Sequence, residues 1–98
     1  MEKGAPHCKL SIVKALIEQG NVRATMSALA SAEVMGFDFD GMLAVVKGLT
    51  RADFHKSMTT HADHHVWQDV YRPTTSAGEV YLKLTVIDDL LIVSFKEL

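Results

Sequence analysis

Six polar residues of the second half, Lys56, Gln68, Arg72, Tyr81, Lys83 and Lys96, have side chains that could do chemistry together. Lysine and arginine hold phosphates and offset charge that builds on them. Tyrosine passes a proton or bonds a phosphate oxygen, and glutamine grips a base or a phosphate. Cutting RNA without a metal needs such a set. A 2′-hydroxyl must lose a proton, charge on the phosphorane must be balanced, and the leaving 5′-oxygen must gain a proton. The plainer account is a solvated strand face, where lysines are common and guard sheet edges. Spacing alone leaves both readings open.

Three other constellations carry less. His61-Ala62-Asp63-His64-His65 offers imidazole and carboxylate, good zinc ligands, at the H-x-D-H spacing of half a metallo-β-lactamase signature. Thr59 stands where that signature needs a further histidine, no glycine pair follows, and the chain is far too short for that fold. A solvated histidine loop is expected, with no metal and no cofactor. Cys8 and His7 are sequence neighbours; at a helix start they would point about 100° apart, too far to act as a nucleophile–base pair. The helical segment Met26–Met35 contains no Lys or Arg, so it cannot read DNA as a recognition helix does, and no direct DNA binding is expected.

The elements that must position the six residues follow from the chain's bulk properties and periods. Its 98 residues suffice for one domain over 1–98, and 48% apolar with 22% charged residues suits an ordered globule. The net charge is −2 and shows no basic block: residues 1–50 carry five Lys/Arg and five Asp/Glu, residues 51–98 five and seven. This argues against a general polyanion binder, though not against a few placed cations. No apolar run nears the roughly 20 residues of a membrane helix. Met1–Pro6 lacks the apolar stretch of a signal peptide, and the one cysteine cannot form an internal disulfide. A cytoplasmic location without membrane contact is the expectation.

The first half reads as helices. Leu10, Val13, Leu16 and Ile17 recur at helical spacing, ending at Gly20. Asn21 to Ala24 suits a short extended piece. Thr25 caps a helix over Met26–Met35 with Ala28, Leu29 and Ala32 inward, stopped by Gly36. Asp38 or Asp40 caps a third, with Phe39, Met42, Leu43 and Val46 as its stripe and Gly48 at its end, and Thr50–Asp53 resembles a capping turn.

The period then changes. Phe54–Thr59 alternates, with Phe54, Lys56 and Met58 on one face; His65–Arg72 alternates, with Val66, Gln68, Val70 and Arg72 opposed to Trp67, Asp69 and Tyr71. Glu79–Lys96 reads as a hairpin. A two-residue Asp88-Asp89 turn sets Ile87 against Leu90, Val86 against Leu91, Thr85 against Ile92, Leu84 against Val93, Lys83 against Ser94, Leu82 against Phe95 and Tyr81 against Lys96. The expected class is α+β, with N-terminal helices packed on a C-terminal antiparallel sheet.

Longer blocks bring a resemblance. Phe54-His55-Lys56-Ser57-Met58-Thr59-Thr60, Asp63-His64, Trp67-Gln68-Asp69-Val70-Tyr71-Arg72-Pro73, Gly78-Glu79-Val80-Tyr81-Leu82-Lys83 and Leu91-Ile92-Val93-Ser94-Phe95-Lys96-Glu97 closely resemble stretches of the MqsR toxins. So do Met1-Glu2-Lys3, Pro6-His7 and Asp38-Phe39-Asp40-Gly41-Met42. The resemblance spans essentially the whole chain. It implies a RelE-like toxin of a type II toxin–antitoxin pair, a metal-independent endoribonuclease cutting single-stranded mRNA at GCU-type sites. It also implies an MqsA-like antitoxin with a zinc-binding domain and a helix-turn-helix DNA-binding domain. Zinc would then belong to that partner rather than to the histidine loop. His55 and His61 are departures, since a member of the family has Tyr at each of these positions.

Carried over residue by residue, the resemblance assigns toxicity to Lys56, Gln68, Tyr81 and Lys96. Lys56 and Lys96 would bind phosphate and balance charge, Tyr81 would move or position a proton, and Gln68 would orient a phosphate or base. Arg72 is an outer phosphate contact by its charge. A non-catalytic module that binds a partner through its sheet is the competing class.

Overall fold

In a computed structural model that describes residues 1–98, the chain runs β1 (Glu2–Lys3), α1 (Leu10–Glu18), β2 (Val22–Ala24), α2 (Met26–Val34) and α3 (Phe39–Lys47). A 3-10 turn (Arg51–Asp53) leads into β3 (Phe54–Thr59), β4 (Trp67–Tyr71), β5 (Thr74–Thr75), β6 (Gly78–Ile87) and β7 (Asp89–Glu97). The boundaries follow local chemistry. Thr25 Oγ1 accepts from the Ala28 N–H at 3.0 Å, and Asp38 Oδ1 from the Gly41 N–H at 2.7 Å, serving donors that α2 and α3 leave free. Gly36, at φ +91°, turns the chain out of α2 in a conformation that strains any side chain. Thr50 and Asp53 close the expected capping box.

The sheet order is β1-β3-β4-β6-β7-β2, with β5 beside β6. The α+β class is as expected, but the sheet is mixed: β2 runs parallel to β7, with Arg23 beside Leu91. Three residues are too few to show a period, so the sequence does not announce this edge. Arg23 fastens it through a two-pronged contact to Asp89, at 2.6 and 3.2 Å. At the other edge β1 pairs antiparallel with β3, Glu2 beside Met58.

All three helices lie on one sheet face. Val13, Ile17, Ala28, Ala32, Met42 and Val46 from the helices form one buried cluster with Tyr71, Val80, Leu82, Leu84, Leu90, Ile92 and Phe95 from the strands. Removing this much apolar surface from water is the main drive to fold. Phe39 does not join it. At the first position of α3 it stays at the surface, and Phe37 packs edge-on against Phe95 instead, ring centroids 5.2 Å apart.

The helices leave the β3–β4 end of that face uncovered, and the N-terminal segment straps it. His7 stacks on Trp67 at 5.3 Å, and the Lys3 ammonium lies 4.1 Å from the same ring's centroid. Beneath them, the buried Asp69 carboxylate accepts from the His7 N–H (2.9 Å), the Cys8 N–H (3.0 Å) and the Ser57 hydroxyl (2.6 Å). A buried charge survives when its lone pairs are met in this way.

Tyr71 is fully buried, edge-on to Phe54, and its hydroxyl has no hydrogen-bond partner. Burial, reinforced by Asp69, pushes its phenol up to about 12. Because the folded chain holds this proton more tightly than the unfolded one, the associated stability is complete below pH ~10 and drains away as pH rises toward ~12. The expected loss over that window is about 2–3 kcal/mol. Urea midpoints at pH 8 and pH 12 should fall more steeply in the parent than in Tyr71→Phe, which has no proton to lose there.

Two registers correct the sequence reading. In the hairpin, the chain reverses at Asp88 alone (φ +66°), and Ile87 pairs with Asp89, Val86 with Leu90, Thr85 with Leu91 and Leu84 with Ile92. The Asp-Asp turn and its four nearest pairs are therefore displaced by one residue. Val93 is then an extra residue, a bulge, below which Lys83–Ser94, Leu82–Phe95 and Tyr81–Lys96 pair as expected. Its carbonyl accepts from the Thr25 hydroxyl at 2.9 Å, which ties the bulge to the cap of α2. In β3 a second bulge falls at His55, because Phe54 pairs with Tyr71 while Lys56 pairs with Val70. Phe54 thus faces the helices, and Lys56 does not share its face.

Candidate active site on the open face of the sheet

The opposite sheet face carries no helix, and cross-strand pairing arranges its side chains in rows. Lys56, Val70, Lys83 and Ser94 form one row across β3, β4, β6 and β7. Gln68 lies two residues from Val70 on one side of that row, next to Met58. Tyr81 and Lys96 form a row on the other side, two residues from Lys83 and Ser94. Arg72 continues this second row. The Val80 N–H donates to the Pro73 carbonyl at 3.0 Å, and Thr74 pairs with Glu79, so the β4–β6 register runs unbroken past the end of β4 and sets Arg72 across from Tyr81.

Lys56, Gln68, Arg72, Tyr81 and Lys96, the five residues assigned from sequence, therefore share one face. They do not all meet. Lys56, Gln68 and Lys83 line an open cleft of about 580 Å³, walled by Met1, Glu2, Thr59, Thr60 and His61 among others. Tyr81 and Lys96 stand outside this cleft, with the Lys96 ammonium 5.3 Å from the Tyr81 ring centroid. The Lys83 ammonium is 5.7 Å from the same ring. Across the whole face lie four cations, a phenol and a carboxamide on paired strands, which hold side chains more steadily than loops do.

The bulge at His55 makes this possible. Without it, alternation would keep Phe54 and Lys56 together, and either the phenylalanine would leave the core or the lysine would leave the open face. The fully buried Val70 is flanked in its row by Lys56 and Lys83, with no helix above it. Lysine stems shield such a residue while their ammonium groups remain in water.

Acidic groups stay at the margins of the face. Glu79 stands one row beyond Tyr81, and Glu2 on β1 holds the Lys56 ammonium at 3.0 Å. Lys56 keeps the Glu2 carboxyl below the usual carboxylate range by hydrogen bond and by charge. The carboxylate sits where an anionic ligand of Lys56 would sit. Glu2→Gln should therefore tighten binding of an uncleavable RNA by about two- to fivefold at low salt, an exposed pair being a weak competitor. The gain should fade as salt screens both contacts. Equal dissociation constants for parent and variant at low salt would show that RNA does not compete for Lys56.

Sequence reasoning missed Glu2, since a two-residue strand has no period to read. The placement of His61 at the cleft wall was equally silent. The rest of the histidine loop is a self-contained turn. Asp63 accepts from the His65 N–H at 2.8 Å and lies 3.1 Å from its ring Nδ1, while Thr60 Oγ1 bonds the Asp63 backbone at both N–H and carbonyl. No three His, Cys, Asp or Glu side chains converge as a metal site would require. Cys8 lies before α1, and burial with the Asp69 carboxylate pushes its thiol up, away from a reactive thiolate.

Two comparisons bear on this arrangement. The family model described as "Motility quorum-sensing regulator, toxin of MqsA" matches residues 5–97. The mRNA interferase toxin MqsR of Escherichia coli (strain K12) is 61% identical over 97 residues, covering 99% of each chain.

Proposed function

The chain belongs to the MqsR toxin family, and we propose that the open sheet face is where it works as an mRNA interferase, cutting single-stranded message at GCU-type sites without a metal. It is a toxin by family, and an antitoxin of the MqsA kind is its partner. One observation carries the placement of the chemistry. Residues 51–98 contain five Lys and Arg, and four of them, Lys56, Arg72, Lys83 and Lys96, gather on the face without helices. A chain of net charge −2 thereby owns a local cationic surface with a phenol in its midst. That suits a polyanion and a proton transfer.

In the reaction, the 2′-oxygen of one nucleotide bonds to the adjacent phosphorus as its proton leaves, and the bond from phosphorus to the 5′-oxygen breaks as that oxygen gains a proton. Lys56 and Lys96 keep their protons and balance the phosphorane. Tyr81, between two ammonium groups, moves or positions the transferred proton. Gln68 orients a phosphate or a base at the cleft, and Arg72 holds the flanking backbone. Charged groups fixed in advance by paired strands need little rearrangement during the reaction, which is where most such catalysis comes from.

No helix is long and apolar enough to cross a membrane, and an mRNA-cutting toxin finds its substrate in the cytoplasm. The partner would carry a zinc-binding domain and a helix-turn-helix domain, leaving DNA contact to the antitoxin. Purified protein should cleave a GCU-containing RNA in the presence of EDTA, and expression should arrest growth unless the antitoxin is coexpressed. Intact RNA together with tight antitoxin binding would replace this reading with a non-catalytic interaction module.

A further inference from the structure

Resting on the reading above, we propose that Lys83 is a catalytic residue of the RNA-cutting face, binding the scissile phosphate and balancing the charge that builds on its nonbridging oxygens. Lys83 is the hub of the pairing pattern. It shares a row with Lys56, separated only by Val70, and strand spacing puts the two backbones roughly 10 Å apart. Gln68 is its diagonal neighbour on β4, Lys96 its diagonal neighbour on β7, and Tyr81 precedes it by two residues on β6. Arg72, two residues beyond Val70, is a further diagonal neighbour on β4.

The side chain follows the backbone's placement. Lys83 lines the cleft with Lys56 and Gln68, and its ammonium is also 5.7 Å from the Tyr81 ring. It is thus the group that joins the cleft to the Tyr81–Lys96 row. An RNA strand that spans both would lie within its reach. Lys56 is engaged by Glu2, whereas Lys83 forms no ion pair. Of the two lysines that line the cleft, Lys83 is therefore the one left free for a phosphate. Its half-buried position between Val70 and Ser94 fixes the stem and points the charge outward. Lys83 keeps its proton throughout and supplies no group to the bond changes.

Because the stem also shields Val70, the test must separate charge from packing. Lys83→Met keeps the methylenes and deletes the charge, Lys83→Arg keeps the charge, and Lys83→Gln is a second neutral variant should the thioether disturb the fold. Each is compared with the parent by thermal melting, by single-turnover cleavage of a GCU-containing RNA at saturating protein, and by binding of the same RNA with a 2′-deoxy nucleotide at the cut site. The neutral variants should melt near the parent yet cleave about 100-fold more slowly, as loss of a transition-state charge contact does. Lys83→Arg should recover most of the rate. The slope of log affinity against log salt should shrink by about 0.7 in the neutral variants, the value for one phosphate contact to a single strand. Folded neutral variants that cut within twofold of a cutting parent overturn the role of Lys83 alone, as does an unchanged salt slope. A parent that leaves the RNA intact overturns the functional reading and this role with it.

Discussion

Tyr81→Phe should leave the fold intact and lower RNA cleavage by 10²- to 10⁴-fold, the range lost when a positioned proton-transfer group is removed. The ring stays, so the substitution deletes one oxygen and little packing. That oxygen belongs to a half-buried side chain with two ammonium groups around its ring, at 5.3 and 5.7 Å. The other hydroxyls of this face are placed for different work. Thr85 donates to the Trp67 carbonyl at 2.7 Å, and Ser94 lies beside Lys83. Lys96→Ala should produce a loss of similar order, since its charge is directly across from Tyr81. Paired residues act as a unit, so the double variant should lose far less than the product of the two single losses. Single-turnover rates on a GCU-containing RNA, with melting curves to confirm folding, provide the check. Full activity in both folded single variants would empty this row of its chemistry.

The largest stability effect should come from the other face. Asp69→Ala is expected to cost about 3 kcal/mol or more, because it strands three donors at once, the His7 and Cys8 N–H groups and the Ser57 hydroxyl. Against a typical total of about 5–15 kcal/mol, this approaches unfolding at growth temperature. Ser57→Ala, which removes one donor and leaves the carboxylate bonded to the strap, should cost only about 1 kcal/mol. Urea denaturation of the two variants separates these outcomes. If Asp69→Ala costs no more than Ser57→Ala, the strap is not held by the carboxylate. Amide exchange at His7 and Cys8 should speed up in Asp69→Ala even under conditions where the helices remain protected.

Much of this was legible in the sequence because the relevant signals are local. Thr25 and Asp38 cap the helices they precede, since each reaches an N–H three residues on. Alternation separates Tyr81 and Lys83 from Val80, Leu82 and Leu84 in Gly78–Ile87, and puts Gln68 on the face of Arg72 in β4. The errors fall where distant parts of the chain decide. Simple alternation puts Phe54 on the face of Lys56, because a bulge at His55 leaves no trace in polarity. Helical spacing puts Phe39 in the core stripe, yet Phe37 takes that role because α3 begins at Phe39 and turns it outward. The parallel edge β2 depends on β7, where Leu90 pairs with Val22 from sixty-eight residues further along, and Glu2 depends on Lys56. In sequence Asp69 simply shares a face with Trp67 and Tyr71. Only the folded strap shows that it anchors the N-terminal segment.

The bulge at Val93 explains why a wrong hairpin tip still gave the right pairs at its base. One surplus residue has to be absorbed somewhere between Leu84 and Ser94. Putting it in the turn, as Asp88-Asp89, or at Val93, as observed, changes every pair above Lys83 and none below. The bulge takes up that residue before the Tyr81–Lys96 end, and the Thr25 hydroxyl holds it in place. Single-residue insertions or deletions near Asp88 should therefore disturb the core and the β2 edge and leave the Tyr81–Lys96 pairing in register. A hairpin built in this way separates a change of length at its tip from the pairing at its base.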